Sequence, residues 1–163
     1  MPERRTVEKA KSELRHGRAP STAAGEFVRE EMHHIRQGKH GARSTKQAIA
    51  IGLSKARRAG VPLDPPKGPR AWRKAAKRDL ATGQHRRKPR SPSRARSRAT
   101  TRALEREGHG AASHRALAKQ AHRSAKQRGH AARSAASRKA ARTKGPAVRR
   151  AASRKAARTR AHR

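Results

Sequence analysis

The chain has 163 residues, with 46 Lys+Arg against 10 Asp+Glu and a formal net charge of +36. Hydrophobic residues make up only 31%, most of them Ala, so self-repulsion and chain entropy exclude collapse of the whole chain around one core. No run of about 20 apolar residues is present to span a bilayer, no apolar segment near Met1 reads as a secretory signal, and the lack of Cys rules out disulfides and thiolate metal sites.

The expected fold class is mostly α: a small two- or three-helix N-terminal hairpin module (residues 1–60) followed by a long disordered basic region. The first helix, about 3–15, puts Val7, Ala10 and Leu14 on one side, and Gly17 and Pro20 end it. A second, about 22–37, is capped by Ser21 or Thr22 and stopped by Gly38. Its apolar stripe is Ala24, Phe27, Val28, Met32 and Ile35, with Arg29, Glu30, His33, His34 and Arg36 facing away.

The third helix, about 45–59, carries the clearest local signals. Ser44 and Gln47 form a capping box, and Gly60 followed by Pro62 closes the other end. Ile49, Leu53 and Ala56 make its seam, flanked by Ala48, Gly52 and Ala59. Lys46, Gln47, Ser54, Arg57 and Arg58 form a basic back. The short connection GKHGAR (38–43) sets the second and third helices antiparallel. Ile51 falls off the seam; it meets Val7 and Leu14, or a second copy in a homo-oligomer through the helical module.

Residues 61–70 are a Pro-rich linker that marks the domain boundary. Within 71–108, a basic low-complexity region, short helices are expected around Trp72, Ala75, Ala76 and Leu80, and over Thr101–Glu107 ahead of Gly108. The remainder, 109–163, is an Ala/Arg/Lys-rich tail. Beyond Glu107 there is no acidic residue, and the nonapeptide AASRKAART occurs at 135–143 and again at 151–159. The like-charge pairs Arg138/Arg142 and Arg154/Arg158 disfavour an isolated helix, so this tail is expected to be mostly coil.

Candidates for chemistry are few. Glu30 and His34 stand four apart and read as a solvated ion pair; Glu30 and Glu31 diverge around the helix and cannot pair. His33, His34 and His40, then His109, His114, His122 and His130, suggest metal, but zinc needs ligands converging in a rigid frame, and no metal or cofactor is expected. No phosphate-binding glycine loop and no nucleophile with a triad is present, so no enzyme is expected. Trp72 can stack on a base or anchor local packing.

The segment GEFVREEMHHIRQGKHGARSTKQAIAIGLSKARRAG resembles an uncharacterised bacterial family of small basic proteins, a domain of unknown function. The resemblance rests on Ser-x-Lys-Gln-Ala-Ile-Ala-Ile-(Ala/Gly)-Leu-Ser-x-Ala-Arg, here Ser44 to Arg57, preceded by Met32-His33 and Gly38 to Gly41. It covers about residues 22–60 and implies no activity. The tail is similar in composition to bacterial histone-like tails and linker-histone C-termini.

A surplus of cation calls for a polyanion, and a tail without bulky apolar residues suits phosphates better than a bilayer. The expected function is non-enzymatic, largely sequence-independent DNA binding and compaction, nucleoid-associated in the cytoplasm. The alternatives are an RNA- or ribosome-associated protein and a protein-interaction adaptor with a localising tail. The expected contacts are Lys46, Arg57 and Arg58 on the third helix, Arg86, Arg87 and Lys88 in RRKPR, and Arg138, Lys139, Arg142, Arg149, Arg150, Arg154, Lys155 and Arg158 in the tail.

Overall fold

Val7, Ala10 and Leu14 do share one face of a helix, α1 (Arg4–Arg15), which lays Ala10 fully into a core. The structure, a computed structural model, describes residues 2–85 and 93–161. Among the described residues there is no strand. Seven α-helices and one 3₁₀ turn account for most of them.

Helix α2 (Pro20–Arg36) starts earlier than its hydroxyl residues suggest. Ala19 is its N-cap and offers no side-chain bond, while Pro20 sits at the first helical position, where its missing N–H costs nothing and its fixed φ suits the helix. Helix α3 (Thr45–Arg58) is capped as read: Ser44 Oγ accepts from the Gln47 N–H at 3.2 Å. The reciprocal bond goes one residue further back, with Gln47 Oε1 accepting from the Arg43 N–H at 2.9 Å.

Helix α2 lies between α1 and α3 and feeds two apolar clusters. One gathers Ala10, Ala23, Ala24, Phe27, Ala56 and Val61, with Val7, Leu14 and Leu53 against them. The other gathers Met32, Ile35, Ala42, Ala48 and Ala112, with Val28, Ile49 and Leu117 alongside. The centre of the α3 seam is the small-residue line Ala48, Gly52 and Ala56 rather than Ile49 and Leu53, which are half-buried. Close backbone approach explains the shift: a Cβ added to Gly52 would stand 2.8 Å from the Val28 Cα.

The Pro-rich stretch 61–69 is non-helical but not detached. Val61 is buried in the first cluster, and Arg57 donates to the carbonyls of Leu63 and Asp64. Helix α4 (Arg70–Gly83) then returns against α3, where Asp79 accepts from Ser54 Oγ at 2.6 Å and from Arg58 Nε at 3.1 Å. Ile51 shares the α3 face of Ser54 and Arg58 and is half-buried there, outside the cluster that holds Val7 and Leu14.

Helix α5 (Arg94–Glu105) is capped by Ser93, whose Oγ accepts from the Arg96 N–H. The chain then closes onto the α2–α3 connection: Gly41 N–H donates to Leu104 O at 2.9 Å and Ala42 N–H to Gly108 O at 3.1 Å. The 3₁₀ turn Gly110–Ala112 is held by Thr45 Oγ1 on Ala111 O and Arg36 Nε on Ala112 O, and Ala112 is fully buried. Two compact units result, residues 1–118 and 119–163.

The expected long disordered basic region is therefore incorrect. Helix α6 (His114–Gln127) and the helical run α7 (Gly129–Ala161) occupy the tail. Twelve of the 33 residues of α7 are Ala, which carries no helix-propensity penalty. That outweighs like-charge i,i+4 pairs, each costing only about 0.2–0.5 kcal/mol. Counting charge and missing apolar bulk left this local preference out.

Candidate nucleic-acid interface

Lys46 is exposed in the first turn of α3. Arg57, expected on the exposed back, is only 8% exposed and turned into the fold toward the Leu63 and Asp64 carbonyls. The reason is the chain that follows: the Pro-rich stretch folds back over the end of α3 and sets the Leu63 and Asp64 carbonyls against the guanidinium. Arg58 is exposed but held by Asp79 and Ser54. Arg86, Arg87 and Lys88 lie outside the described residues. The other eight expected contacts, Arg138, Lys139, Arg142, Arg149, Arg150, Arg154, Lys155 and Arg158, are all exposed on α7.

The run α7 is two helical segments, because Gly145 has φ 66° and ψ 168° and Pro146 follows it. That backbone region is essentially open to Gly alone. The break falls between the two copies of the nonapeptide and reveals a longer repeat. Residues 131–144 and 147–160 agree at eleven of fourteen positions, and every cation of the first copy has a cation sixteen residues on. At about 100° per residue, Arg138, Arg142 and Lys139 span one side of the first segment; Arg154, Arg158 and Lys155 repeat it in the second. Thr143 and Thr159 even make the same bond, to the carbonyls of Lys139 and Lys155. The Gly-Pro pair in the spacer was the sequence signal for this division.

Electrostatically the two parts of the chain differ. All ten acidic residues lie at or before Glu107. Among the described residues every ion pair falls between Glu3 and Asp79. The cations of α7 accordingly have no carboxylate to neutralise them within residues 119–163. Trp72, at 63% exposure, is one of two large exposed apolar side chains among the described residues, its ring lying against Gly68; it is no packing anchor for a core.

Helix α2 holds a buried charged cluster, of which Glu30 and His34 were expected to face solvent. Glu30, Glu31 and His34 are buried, Glu31 completely. Glu30 and His34 do not form the expected pair. Glu30 accepts from the Glu3 backbone N–H, and His34 Nε2 meets Glu3 Oε1 at 2.9 Å. That bond, joined by the charges of His34, Lys39 and His33, holds the Glu3 carboxyl below its ordinary value despite some desolvation. Glu31 Oε2 takes Lys55 Nζ at 2.5 Å, and His40 Nε2 lies 3.3 Å from Glu31 Oε1. Residues Glu31, His34 and His40 thus present ligand atoms within 4.8 Å of one another, as do Glu3, Glu30 and His34. Between α1 and α2 runs an open groove of about 580 Å³ lined by charges of both signs, among them Glu3, Arg5, Lys9, Glu26 and Arg36.

Together these features define a small all-α basic protein with a buried Glu/His cluster in its first unit and an exposed cationic repeat in its second. Residues 19–67, which span α2, its connection to α3, α3 itself and most of the Pro-rich stretch, match the sequence model of a family of unknown function (DUF6496). No curated protein and no solved structure matches the chain. No described helix is long and apolar enough to cross a membrane.

Proposed function

We propose that the chain is a non-enzymatic nucleic-acid-binding protein that coats or compacts duplex DNA with little sequence preference, as a nucleoid-associated factor does. The observation that carries this reading is the duplicated, solvent-exposed cation stripe of α7, which has no internal counter-charge. Each half of α7 is about 24 Å long at 1.5 Å per residue, and duplex DNA offers a phosphate charge about every 1.7 Å. The stripe therefore meets more anion than it can neutralise. Binding is driven by release of condensed counterions, which needs Lys and Arg but no base contacts. Helical order in the arm lowers the entropy that a flexible tail would surrender on binding.

The test is a six-site variant of the full chain, R138Q/K139Q/R142Q/R154Q/K155Q/R158Q, which keeps good helix formers at every position. Duplex affinity is expected to fall by orders of magnitude at physiological salt. The slope of log K against log salt should become shallower by about 5, close to 0.9 for each cation removed. An unchanged slope would reject the arm as the binding element.

The exposure of Trp72 favours a second reading, RNA or single strands, since an indole free of the core can stack on unpaired bases. Competition between duplex DNA, ribosomal RNA and single strands at matched salt separates the two. In that comparison W72A should weaken only binding to unpaired strands.

A further inference from the structure

We infer that Glu31, His34 and His40 form a binding site for a borderline divalent cation, zinc in the first instance. Glu31 and His34 stand three apart on α2, a spacing that turns both side chains to one side of a helix. His40 comes from the connection to α3, so the ligands converge from two elements fixed by the core around Ile35 and Ala42. Imidazole nitrogen and carboxylate oxygen are the donors zinc accepts, and two His with one Glu is a three-ligand set that leaves a fourth position for water.

Several observations point to a ligand rather than to an ordinary ion pair. Glu31 is completely buried, yet its Oε1 has no hydrogen-bond partner. Such orphaned buried oxygens are rare and call for an occupant. Lys55 is bonded to the other oxygen, Oε2, and so steadies the carboxylate without filling the vacant side. His40 Nε2 is 3.3 Å from Oε1, the separation of about 3.3 Å that two donors have on a tetrahedral ion with bonds of about 2.0 Å. The rings of His34 and His40 lie edge to face with centroids 6.5 Å apart. Glu3 on His34 is the carboxylate partner that commonly orients a ligating imidazole.

Bound there, the ion ties the 38–43 connection to α2. That same connection carries the backbone bonds of Gly41 and Ala42 to Leu104 and Gly108. The cation would thus stiffen the point where the later part of the first unit closes on the earlier part. This inference stands apart from the nucleic-acid reading and survives its failure.

The experiment titrates the full-length, chelator-treated protein with zinc sulfate, following thermal unfolding and, with cobalt(II) in place of zinc, the visible absorption of the bound ion. The tail histidines are a competing source of weak binding, so a parent carrying H109Q/H114Q/H122Q/H130Q/H162Q is used. That parent should take one equivalent with micromolar or tighter affinity, unfold at a higher temperature, and show a cobalt spectrum of low coordination number. H40A, on the half-buried connection, should weaken the site by about 100-fold or more, beyond the ~10–100-fold that loss of an outer-shell partner costs. Should H40A fail to fold, H40Q supplies the same comparison. Saturation of H40A or H40Q at parental concentrations overturns the site, as does a parent with no one-equivalent step.

Discussion

Gly52 fixes how near α2 and α3 come to one another. Because a Cβ there would press on the Val28 Cα and the Phe27 carbonyl, backbone atoms that cannot swing aside, G52A must push the helices apart. We expect it to destabilise the first unit by about 1–3 kcal/mol, read as a lower urea midpoint. Lys55 is a second sensitive residue. With its ammonium gone, the buried Glu31 carboxylate loses its closest counter-charge, and K55M should cost about 3 kcal/mol. The double variant E31M/K55M should recover most of that loss, since well-packed apolar groups can replace a buried pair; if the double is as unstable as the single, the pair is not coupled. Residues of this kind were the least legible in the sequence. A helical wheel with one apolar face sends Glu30 and His34 to solvent, whereas Glu31 falls inside the stripe between Phe27 and Ile35 and was the readable sign of a buried carboxylate. Helix α2, however, is covered by α1 on one side and α3 on another, so polar positions between the two stripes are enclosed and must find partners.

At the scale of elements, the helices with strong punctuation were readable and those without it were not. Gly17, Gly38 and Gly60 all adopt positive φ after α1, α2 and α3, as their places beyond each apolar run imply. The Ser44 cap formed where it was expected. Part of α5 was expected, but the helices of 114–161 offer little apolar stripe to detect, mostly Ala and good helix-forming cations, and composition alone reads those as coil. The interruption of α7 depends on two adjacent residues, so its removal makes a clear test. In G145A/P146A the missing backbone donor is restored and the Gly-only conformation becomes strained, so the two segments should merge. The measurable outcome is a rise in helical ellipticity with no change in the stability of the first unit. No rise would mean that the bend has another cause.

For the molecule as a whole, the two units divide the work: acids and core lie in 1–118, unpaired cation in 119–163. Removing 119–163 should leave both apolar clusters intact and the unfolding transition of the first unit in place. Duplex DNA affinity should drop by orders of magnitude. The intact chain, engaging about ten phosphates, should show a log–log salt slope of about −9, and a value near −2 would remove the arm from the mechanism. Cutting at Pro65 instead, which the Pro-rich stretch invites, would also strip away α4 and Ala112. Loss of function in such a fragment would report unfolding rather than binding.

The burial of Ala112 beside Ile35 and Ala48 also bears on the order of events at the ribosome. Helices α1 to α3 are complete once residue 60 has emerged, but their second apolar cluster has no lid until some fifty residues later, about 3–10 s at ordinary translation speeds. During that interval Met32, Ile35 and Ala48 lack the cover of Ala112 and Leu117 on a nascent chain. Its heavy positive charge, by mutual repulsion between neighbouring chains, is then the natural guard against premature association.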